Sequence, residues 1–416
     1  MMRREFSLQE RRKSVSRSAS DSFFFLLDAI AEQQVPTKTQ LADIESSYQS
    51  TAEFLTARPE FEGLITQIHP HGSRELGTMV RPWDNSRDGF DIDLIARLDK
   101  RAFERYGDAR GPARLLAHFH SAFDDYASAH GLEVKKWDRC VTLIYSGGMC
   151  ADIAPVIDSP LVSSPYGDTR GMIPDRAVAR YQPTNPRGYS KFFRETASIK
   201  ATFSAMEAYA ADSVRKADIV PLRSPDEVFA PLLCRIVQVL KLHRNVRFGP
   251  QNGETDLKPS SGFITTLAAH AYAQHAPEAH ISPLDLLFDI VATMPSKFEL
   301  EETASGIQWF LPNPAAPASN LAEDMNEPGR QAAFYAWIEK FTEDLDEILQ
   351  AVEQRAGIDV VIQRVEDAFG SKPANAARTA LLKRQEAARN AGRATLFTAT
   401  AGPLTVKSRP HNFYGA

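Results

Sequence analysis

Four short segments of the chain show the hydrophobic patterning of strands. Residues 90–98, FDIDLIARL, begin with a clean alternation of apolar and acidic positions and form the clearest predicted strand. Residues 64–68 predict a short strand that runs into a Gly-Ser turn at 72–73. Residues 140–145 and 149–157 predict two further strands, and the Ser-Gly-Gly between them favours a hairpin.

Helical periodicity dominates most of the remaining chain. It predicts helices over residues 37–57, 111–129, 227–248 and 260–275. The first of these begins at Thr37, which forms a capping box with Gln40, and it ends before Pro59. Residues 158–190 are rich in Pro, Gly and Ser and predict a long surface loop. From about residue 190 onward almost every pattern is helical.

Together these patterns predict an α+β fold in four parts. A mixed sheet with helices, residues 37–200, is followed by a helical domain, residues 201–390. An N-terminal extension, residues 1–36, precedes the sheet, and a tail without periodicity, residues 391–416, ends the chain. We expect the active site in the cleft between the sheet core and the C-terminal helical lobe.

The composition is that of a globular protein and disfavours several functions. The 416 residues are 43% hydrophobic and carry a formal charge of -5, which argues against non-specific coating of nucleic acid. The chain lacks an apolar stretch of about 18 residues, so we expect no membrane span. Cys140, Cys150 and Cys234 have neither metal-ligand spacing nor the look of a disulfide framework, which favours a reducing cytoplasm. The basic, serine-rich N-terminus lacks the features of a signal peptide.

Two aspartates on the clearest predicted strand are the first candidates for chemistry. Asp91 and Asp93 are two residues apart, so their side chains project from the same face of the strand. Adjacent carboxylates repel each other unless a cation lies between them, and Mg²⁺ is the obvious candidate because it takes few protein carboxylates. For these two residues taken alone, the ordinary alternation of a strand with a solvated polar face is the favoured explanation.

A third aspartate strengthens the interpretation as a metal site. Asp152 interrupts the apolar run at 149–157, and a buried aspartate needs a partner. On a neighbouring strand it would complete a cluster of three carboxylates, which can hold two metal ions about 4 Å apart. The alternative is a structural aspartate that is satisfied by hydrogen bonds. The Gly72-Ser73 turn adds a place where the backbone could approach a phosphate closely.

This combination of motifs resembles the DNA polymerase β-like nucleotidyltransferases. In that superfamily a strand and a Gly-Ser turn precede a DhDh strand, where h is hydrophobic, and a single aspartate follows on another strand. Several longer segments of the sequence resemble the bacterial CD-NTases, the cyclic-oligonucleotide synthases of CBASS anti-phage defence. The segments that carry this resemblance are HGSRELGTMVRP, DGFDIDLIARL, RCVTLIYSGGMCADIAPVID, RIVQVLKLHRNVRF and KPSSGFITTLAAHAY. It spans roughly residues 37–280 and the terminal HNFYGA, and the spacer at 81–89 is longer than the minimal family pattern.

The resemblance implies a polymerase-β-like core, a helical domain similar to that of oligoadenylate synthetase, and a two-metal site. It implies that Asp91 and Asp93 ligate two Mg²⁺ ions, with Mn²⁺ as a substitute. Asp152 would bind the metal nearer the acceptor hydroxyl and help to deprotonate it. Gly72 and Ser73 would hold the donor triphosphate.

Two residues of the predicted helical domain complete the implied site. Lys241 falls where the family places a lysine on the donor phosphates, and a lysine inside VQVLKLH is costly to bury without an anion. A lysine that snorkels at a helix edge is the alternative. Ser261 aligns with another triphosphate contact of the family, whereas Ser260 or Ser261 could equally be a helix cap. Arg244 and Arg247, one helical turn apart, are expected at the exposed surface, and the alternative is that they add charge to the same groove.

The histidines His71, His243 and His270 show no metal-ligand spacing and are expected to be structural.

The function implied is synthesis of a cyclic di- or trinucleotide from NTPs, with ATP expected and the second base open. Another template-independent nucleotidyltransferase, acting on RNA or a small molecule, and a catalytically dead nucleotide-binding scaffold are the alternatives. Expected partners are regulatory or conjugating proteins of CBASS, the latter acting on the tail that ends in Gly415 and Ala416, in a bacterial cytoplasm. Direct activation by DNA is not expected, because the chain has neither a cysteine-rich zinc element nor net basic charge.

Overall fold

A computed structural model gives the structure of most of the chain as two compact units. One unit contains residues 34–342, and the other contains residues 1–33 and 343–416. The four-part division drawn from the sequence stays a prediction. The structure describes residues 15, 17–34, 37–81, 90–145, 148–162, 164–203, 231–249, 256–304, 306–390, 394–398 and 402–406.

A seven-stranded mixed sheet forms the framework of the unit at residues 34–342. Its strands are β1 (Ile65–His71), β2 (Asp91–Leu98), β3 (Glu133–Lys136), β4 (Val141–Ile144), β5 (Cys150–Asp158), β6 (Gly171–Asp175) and β7 (Arg180–Thr184). The order is β1-β2-β5-β4-β3, and β6 pairs with both β5 and β7. Only the β2–β5 pair is parallel among these pairings; the other described pairs in this sheet are antiparallel. The strand predictions at 64–68, 90–98, 140–145 and 149–157 are therefore confirmed, although most of the Ser-Gly-Gly turn lies outside the described residues.

Helices of the same unit pack on this sheet and bury its apolar positions. After α1 (Arg17–Glu32), which belongs to the other unit, they are α2 (Lys38–Thr56), α3 (Gly72–Leu76), α4 (Ala102–Tyr106) and α5 (Gly111–His130). The predicted capping box at the start of α2 is present, since the side chains of Thr37 and Gln40 each accept the other's backbone N–H. Phe119 and Phe123 of α5 are fully buried in the same core as Ile92 of β2. The alternation that identified β2 thus separates a core face from a face that is left for chemistry.

The long surface loop expected at 158–190 is wrong. That segment contains the hairpin of β6 and β7, and helix α6 (Pro186–Ala197) begins within it. Proline misled the sequence interpretation, because β7 is an edge strand and an edge tolerates a residue without an N–H donor. Gly171 is required for packing, since a Cβ there would lie 2.4 Å from Cγ1 of Val156.

The region after residue 190 is helical where helices were predicted, but it is not almost entirely helical. Between residues 200 and 353 the described helices are α7 (Leu232–Arg247), α8 (Ser261–His275), α9 (Pro283–Thr293) and α10 (Arg330–Glu353). The first two confirm the helices predicted at 227–248 and 260–275, although residues 227–230 lie outside the described chain. Between α9 and α10 lie two hairpins, which contradict the expectation: β10 (Glu299–Thr303) with β11 (Gly306–Phe310), and β12 (Pro312–Asn313) with β13 (Ala316–Asn320). A short parallel pair, β8 (Thr202–Phe203) and β9 (Ala279–His280), completes the unit.

The other unit is built from helices of the two chain ends. It contains α1, α11 (Ile358–Phe369) and α12 (Ser371–Asn390), and α1 packs along α12. Strands β14 (Ala394–Thr398) and β15 (Gly402–Val406) form a hairpin in the tail. The basic segment at 1–14, the long spacer at 82–89 and the terminal HNFYGA lie outside the described residues. None of the described helices has both the length and the apolar character that crossing a membrane requires.

Candidate active site

The three aspartates singled out from the sequence meet on one face of the sheet. Strands β2 and β5 pair in parallel without a register shift, which places Asp93 directly beside Asp152. Side chains at paired positions of neighbouring strands project to the same face, and Asp91, two residues before Asp93, shares it. Asp91 is exposed, whereas Asp93 and Asp152 are half-buried. All three line one cavity.

The glycine of the Gly-Ser turn lies against the central carboxylate. His71 at the end of β1 pairs with Asp93, so the next residue, Gly72, turns the chain directly beside that side chain. Gly72 has a φ of +57°, and a Cβ on it would lie 1.9 Å from Oδ2 of Asp93. The backbone N–H of Ser73 donates a hydrogen bond to Asp93. Any side chain at position 72 would therefore displace the carboxylate or the turn.

The electrostatics of the carboxylates favour a cation between them. Burial raises the pKa of Asp93 to about 6, with further contributions from Asp152 and Asp91, while Lys241 and the Ser73 N–H lower it. Burial also raises the pKa of Asp152, and the hydroxyl of Thr142, which donates to its Oδ1, opposes that change. Partly buried carboxylates that repel one another are stabilised by a divalent cation.

Helix α7 is tied to the segment that follows the Gly-Ser turn. Three of its polar residues, spaced four and three apart, lie on one helical face and contact backbone carbonyls of residues 76–79. The contacts are Cys234 Sγ to Leu76 O at 3.2 Å, Gln238 Nε2 to Met79 O at 3.0 Å, and Lys241 Nζ to Thr78 O at 3.3 Å. These hydrogen bonds fix the helix relative to the sheet edge that carries the turn.

Lys241 is a buried cation beside the carboxylates. Only 3% of its surface is exposed, so the alternative of a snorkelling lysine is wrong. Its Nζ also donates to Oγ1 of Thr78 at 3.1 Å. Burial lowers the pKa of Lys241 to about 7, Arg244 lowers it further, and Asp93 acts in the opposite direction. A buried ammonium of this kind gains from an anionic partner in the cavity.

Arg244 is a functional candidate for which the sequence interpretation favoured the wrong location. It was expected at the surface, but it is 5% exposed, and burial lowers its pKa to about 10. Its Nη1 donates to Pro259 O at 2.9 Å and to Oγ of Ser261 at 3.1 Å. Ser260, not Ser261, caps α8, because its hydroxyl accepts from the backbone N–H of Phe263. The sequence signal that points to Arg244 is its position one turn after Lys241, on the same side of the helix. Arg247 is exposed, as expected, and lines the cavity.

One cavity of about 1310 Å³ collects these groups. It is larger than the few hundred to about 1,000 Å³ typical of a site for one small ligand. The seven residues that the sequence singled out all line it: Gly72, Ser73, Asp91, Asp93, Asp152, Lys241 and Ser261. The sheet core and the helical region that follows it, from α7 onward, both contribute to the walls of the cavity. This agrees with the expectation of an active site in the cleft between them.

Comparisons with known proteins show which sequences this chain is similar to. Residues 26–196 match the model of the Second Messenger Oligonucleotide or Dinucleotide Synthetase domain. A c-di-GMP synthase of Roseivirga ehrenbergii is 25% identical over 400 residues, which cover 94% of this chain and 96% of the relative. The cyclic dinucleotide synthase CdnG of Bradyrhizobium diazoefficiens is 25% identical over 273 residues, 60% of each chain.

Solved structures show the same fold. The structure of Bradyrhizobium diazoefficiens CdnG in complex with GTP aligns with a TM-score of 0.61 at 18% identity, covering 86% of this chain and 99% of that one. An Escherichia coli CdnC complex with HORMA-deltaN aligns with a TM-score of 0.51 at 16% identity, covering 82% and 95%. Over residues 26–196, and along most of its length in the first of these relatives, the chain is thus similar to the bacterial CD-NTases. These comparisons support nucleotidyl transfer and second-messenger synthesis, and the α+β fold class predicted from the sequence is confirmed.

The three histidines noted in the sequence differ in their surroundings. His243 Nδ1 accepts from the indole Nε1 of Trp337 at 3.0 Å, which agrees with a structural role. His71 lines the cavity, and burial lowers its pKa to about 4. His270 is not among the residues that line the cavity, and burial lowers its pKa as well.

A further set of metal-ligand side chains lies in the helical region of the described chain. His280, Asp285 and Asp289 place one ligand atom each within 4.8 Å of the others. His280 Nδ1 lies 3.7 Å from Asp285 Oδ2 and 3.5 Å from Asp289 Oδ2, and its Nε2 lies 2.8 Å from the carbonyl of His275. These residues do not line the cavity, so the set is separate from the Asp91, Asp93 and Asp152 cluster.

Substitution of Gly72 tests the close approach to Asp93. Gly72→Ala is expected to lower the rate of NTP-dependent pyrophosphate release by about 100-fold, because the methyl group displaces the carboxylate. Gly63→Ala is a matched control, since Gly63 has a φ of +66° but a Cβ on it would meet nothing within 4 Å. Circular dichroism and melting temperature compare the folding of the two variants. Equal loss of activity in both would show that backbone strain, and not the contact with Asp93, causes the effect.

The raised pKa of Asp93 predicts a pH-dependent stability. A carboxyl whose pKa is higher in the folded state holds its proton more tightly there, so folding stability falls as the pH rises from 3.8 to about 6 and stays lower above that. In EDTA, the melting temperature of the unsubstituted protein should therefore decrease more between about pH 4 and pH 7 than that of Asp93→Asn. Mg²⁺ at neutral pH should restore stability in the unsubstituted protein. Parallel melting curves for the two proteins across this range would contradict the assignment.

Proposed function

We propose that this protein is a CD-NTase that joins two nucleoside triphosphates into a cyclic dinucleotide and releases pyrophosphate, with GTP as a substrate. The observation that carries the proposal is the in-register pair Asp93 and Asp152, which shares a cavity with the Gly72-Ser73 turn and the buried Lys241. The names of the two relatives, a c-di-GMP synthase and a cyclic dinucleotide synthase, favour a dinucleotide over a trinucleotide. The first of them favours guanine over the adenine expected from the sequence.

Asp91, Asp93 and Asp152 would hold two divalent cations. The donor set fits Mg²⁺ or Mn²⁺, because it consists of carboxylate oxygens that lie on one face and open to a wide cavity. Two such cations activate the attacking hydroxyl and stabilise the leaving pyrophosphate in nucleotidyl transfer. The raised pKa of Asp93 reflects burial and repulsion, and bound cations would relieve the repulsion.

The cationic side of the cavity would hold the donor triphosphate. The proposal places the phosphates against Ser73, Lys241 and Ser261, with Arg244 behind Ser261. Arg244 donates to Oγ of Ser261, and the serine hydroxyl is thereby free to donate its own proton to a phosphate oxygen. A bound polyanion would also restore the ordinary charge of Lys241, whose pKa is lowered by burial.

The size of the cavity supports binding of two nucleotides at once. At about 1310 Å³ it exceeds the space that one ligand usually fills. An acceptor nucleotide held beside the donor converts bond formation into an intramolecular step, and the linear product can turn around for the second transfer in the same cavity. A template strand is not needed for either step.

Anti-phage signalling and its partners are part of the proposal. Assembly with a partner protein has a precedent in a protein of similar fold, because CdnC of Escherichia coli has been solved in complex with HORMA-deltaN. For this chain, regulation by a protein partner and conjugation of the tail that ends in Gly415 and Ala416 remain proposals. The tail's last residues lie outside the described chain.

Product analysis tests the proposed function. The protein is incubated with Mg²⁺ and with labelled GTP, ATP or both, and the products are treated with phosphatase and identified by mass spectrometry. We expect a phosphatase-resistant cyclic dinucleotide that contains guanine. The double variant Asp91→Asn with Asp93→Asn should form less than about 1% of it, because two oxygen ligands lose their charge together.

Three results would contradict this function. They are elongation of added RNA without a cyclic product, modification of a non-nucleotide acceptor, and undiminished product from the double variant. A control at Asp124→Asn and Asp125→Asn removes two neighbouring carboxylates from an exposed face of α5 and should leave the product unchanged.

A further inference from the structure

The strand on the other side of Asp152 carries a hydroxyl that touches the carboxylate. In the antiparallel pairing of β4 and β5, Thr142 lies directly opposite Asp152. The Thr142 hydroxyl donates a hydrogen bond to Oδ1 of Asp152, and Thr142 is itself buried. Asp152 is therefore flanked by Thr142 on one side and by Asp93 on the other. Oδ1 of Asp152 therefore accepts a hydrogen bond from a side chain of the neighbouring strand.

An indole fixes the direction of that hydroxyl. Trp137 lies between β3 and β4, and its Nε1 donates to Oγ1 of Thr142 at 2.7 Å. An indole N–H can only donate, so it occupies an acceptor position of the hydroxyl oxygen. The single proton of Thr142 is then left for an ionised carboxylate, which can only accept. The three groups form a chain of hydrogen bonds with one direction, from Trp137 through Thr142 to Asp152.

The exposure of Trp137 shows that packing is not the main role of its ring. Its surface is 53% exposed, unlike the buried Trp309 and Trp337 of the helical region. A backbone hydrogen bond from Trp137 N to Cys140 O at 3.0 Å holds the residue at the start of the turn. A half-exposed indole gains little from burial, whereas its N–H reaches inward to a buried acceptor. Phenylalanine would fill the same place without that N–H.

We propose that Trp137 and Thr142 are positioning residues for Asp152. Together they hold Oδ1 of the carboxylate against β4, so that Oδ2 faces the cavity and the cation that Asp152 would bind. The inference rests on the proposed two-metal function, and it concerns the chain's own residues beyond the metal ligands. Without the hydroxyl, repulsion from Asp93 would be free to rotate the carboxylate away from this orientation. Outer partners of this kind typically change metal affinity by 10- to 100-fold.

The test measures Mn²⁺ binding alone, by electron paramagnetic resonance of the free ion, in the full-length protein without nucleotide. Thr142→Val keeps the shape of the side chain and removes the hydroxyl, and we expect Mn²⁺ to bind at least about tenfold more weakly. Thr142→Ser restores the hydroxyl and should return the affinity to within about threefold of the unsubstituted protein. Trp137→Phe should weaken binding by about two- to tenfold, as expected for loss of one neutral hydrogen bond.

The double variant Trp137→Phe with Thr142→Val shows whether the two residues act on Mn²⁺ binding in series or independently. We call the serial arrangement, in which Trp137 acts on Asp152 through Thr142, the relay. If Trp137 acts through Thr142, the double variant binds Mn²⁺ no more weakly than Thr142→Val alone. Additive losses, or a Thr142→Val affinity within about twofold of the unsubstituted protein, would overturn the proposal. Thr66→Val is the matched control, because the Thr66 hydroxyl donates to a backbone carbonyl of the same sheet and touches no carboxylate.

A further control distinguishes failure of the relay from failure of the metal assignment. Asp152→Asn should weaken Mn²⁺ binding more than any of the relay variants. If Asp152→Asn has no effect, the metal assignment itself is wrong and the relay falls with it. If Asp152→Asn weakens binding and Thr142→Val does not, the metal assignment stands and only the relay is overturned.

Discussion

Mutual repulsion of three carboxylates is the constraint on which the rest of the site depends. The parallel, in-register pairing of β2 and β5 forces Asp93 and Asp152 into neighbouring positions, and Asp91 shares their face. Partial burial strengthens the repulsion, because the surroundings screen charge less than water does. Folding without a bound cation therefore works against this cluster: burial, and after it repulsion from Asp152 and Asp91, raises the pKa of Asp93. The carboxylate of Asp93 is held by the close approach of Gly72 and by the backbone N–H of Ser73, and that of Asp152 by the buried hydroxyl of Thr142.

Helix α7 supplies the opposite charge from fixed positions. Lys241 and Arg244 lie one turn apart on α7, and both are buried. The same helix is hydrogen-bonded through Cys234, Gln238 and Lys241 to the backbone that follows the Gly-Ser turn. Hydrogen bonds from side chains of α7 to this backbone thus connect the cationic wall of the cavity to the anionic wall. A substrate whose phosphates and metal ions neutralise both walls gains from charges that the folded chain has already arranged.

Much of the sheet and the acidic face could be predicted from the sequence, because they depend on local periodicity. The alternation at 90–98 identifies β2 and its two outward carboxylates, and the capping box at Thr37 identifies the start of α2. The register between strands is not local. Only the structure shows that Asp152 lies opposite Thr142 and beside Asp93, and therefore only the structure reveals the contact to Trp137.

The errors have physical reasons of the same kind. At 158–190 the glycines and prolines predict a loop, but an edge strand tolerates proline, and Gly171 is there for close packing against Val156. At 299–320 the sequence interpretation did not predict the two short hairpins, because strands of only a few residues show little periodicity. Arg244 looks like a surface cation in the sequence, and its burial follows from the packing of α7 and α8.

The most direct test of the central claim is a crystal structure with Mn²⁺ and a non-hydrolysable GTP analogue, measured at a wavelength where manganese scatters anomalously. The account predicts two anomalous peaks about 4 Å apart, which Asp91 and Asp93 share and one of which Asp152 contacts. It also predicts that phosphate oxygens lie against Ser73, Lys241 and Ser261. Manganese bound only at His280, Asp285 and Asp289, with none at Asp93 and Asp152, would contradict it.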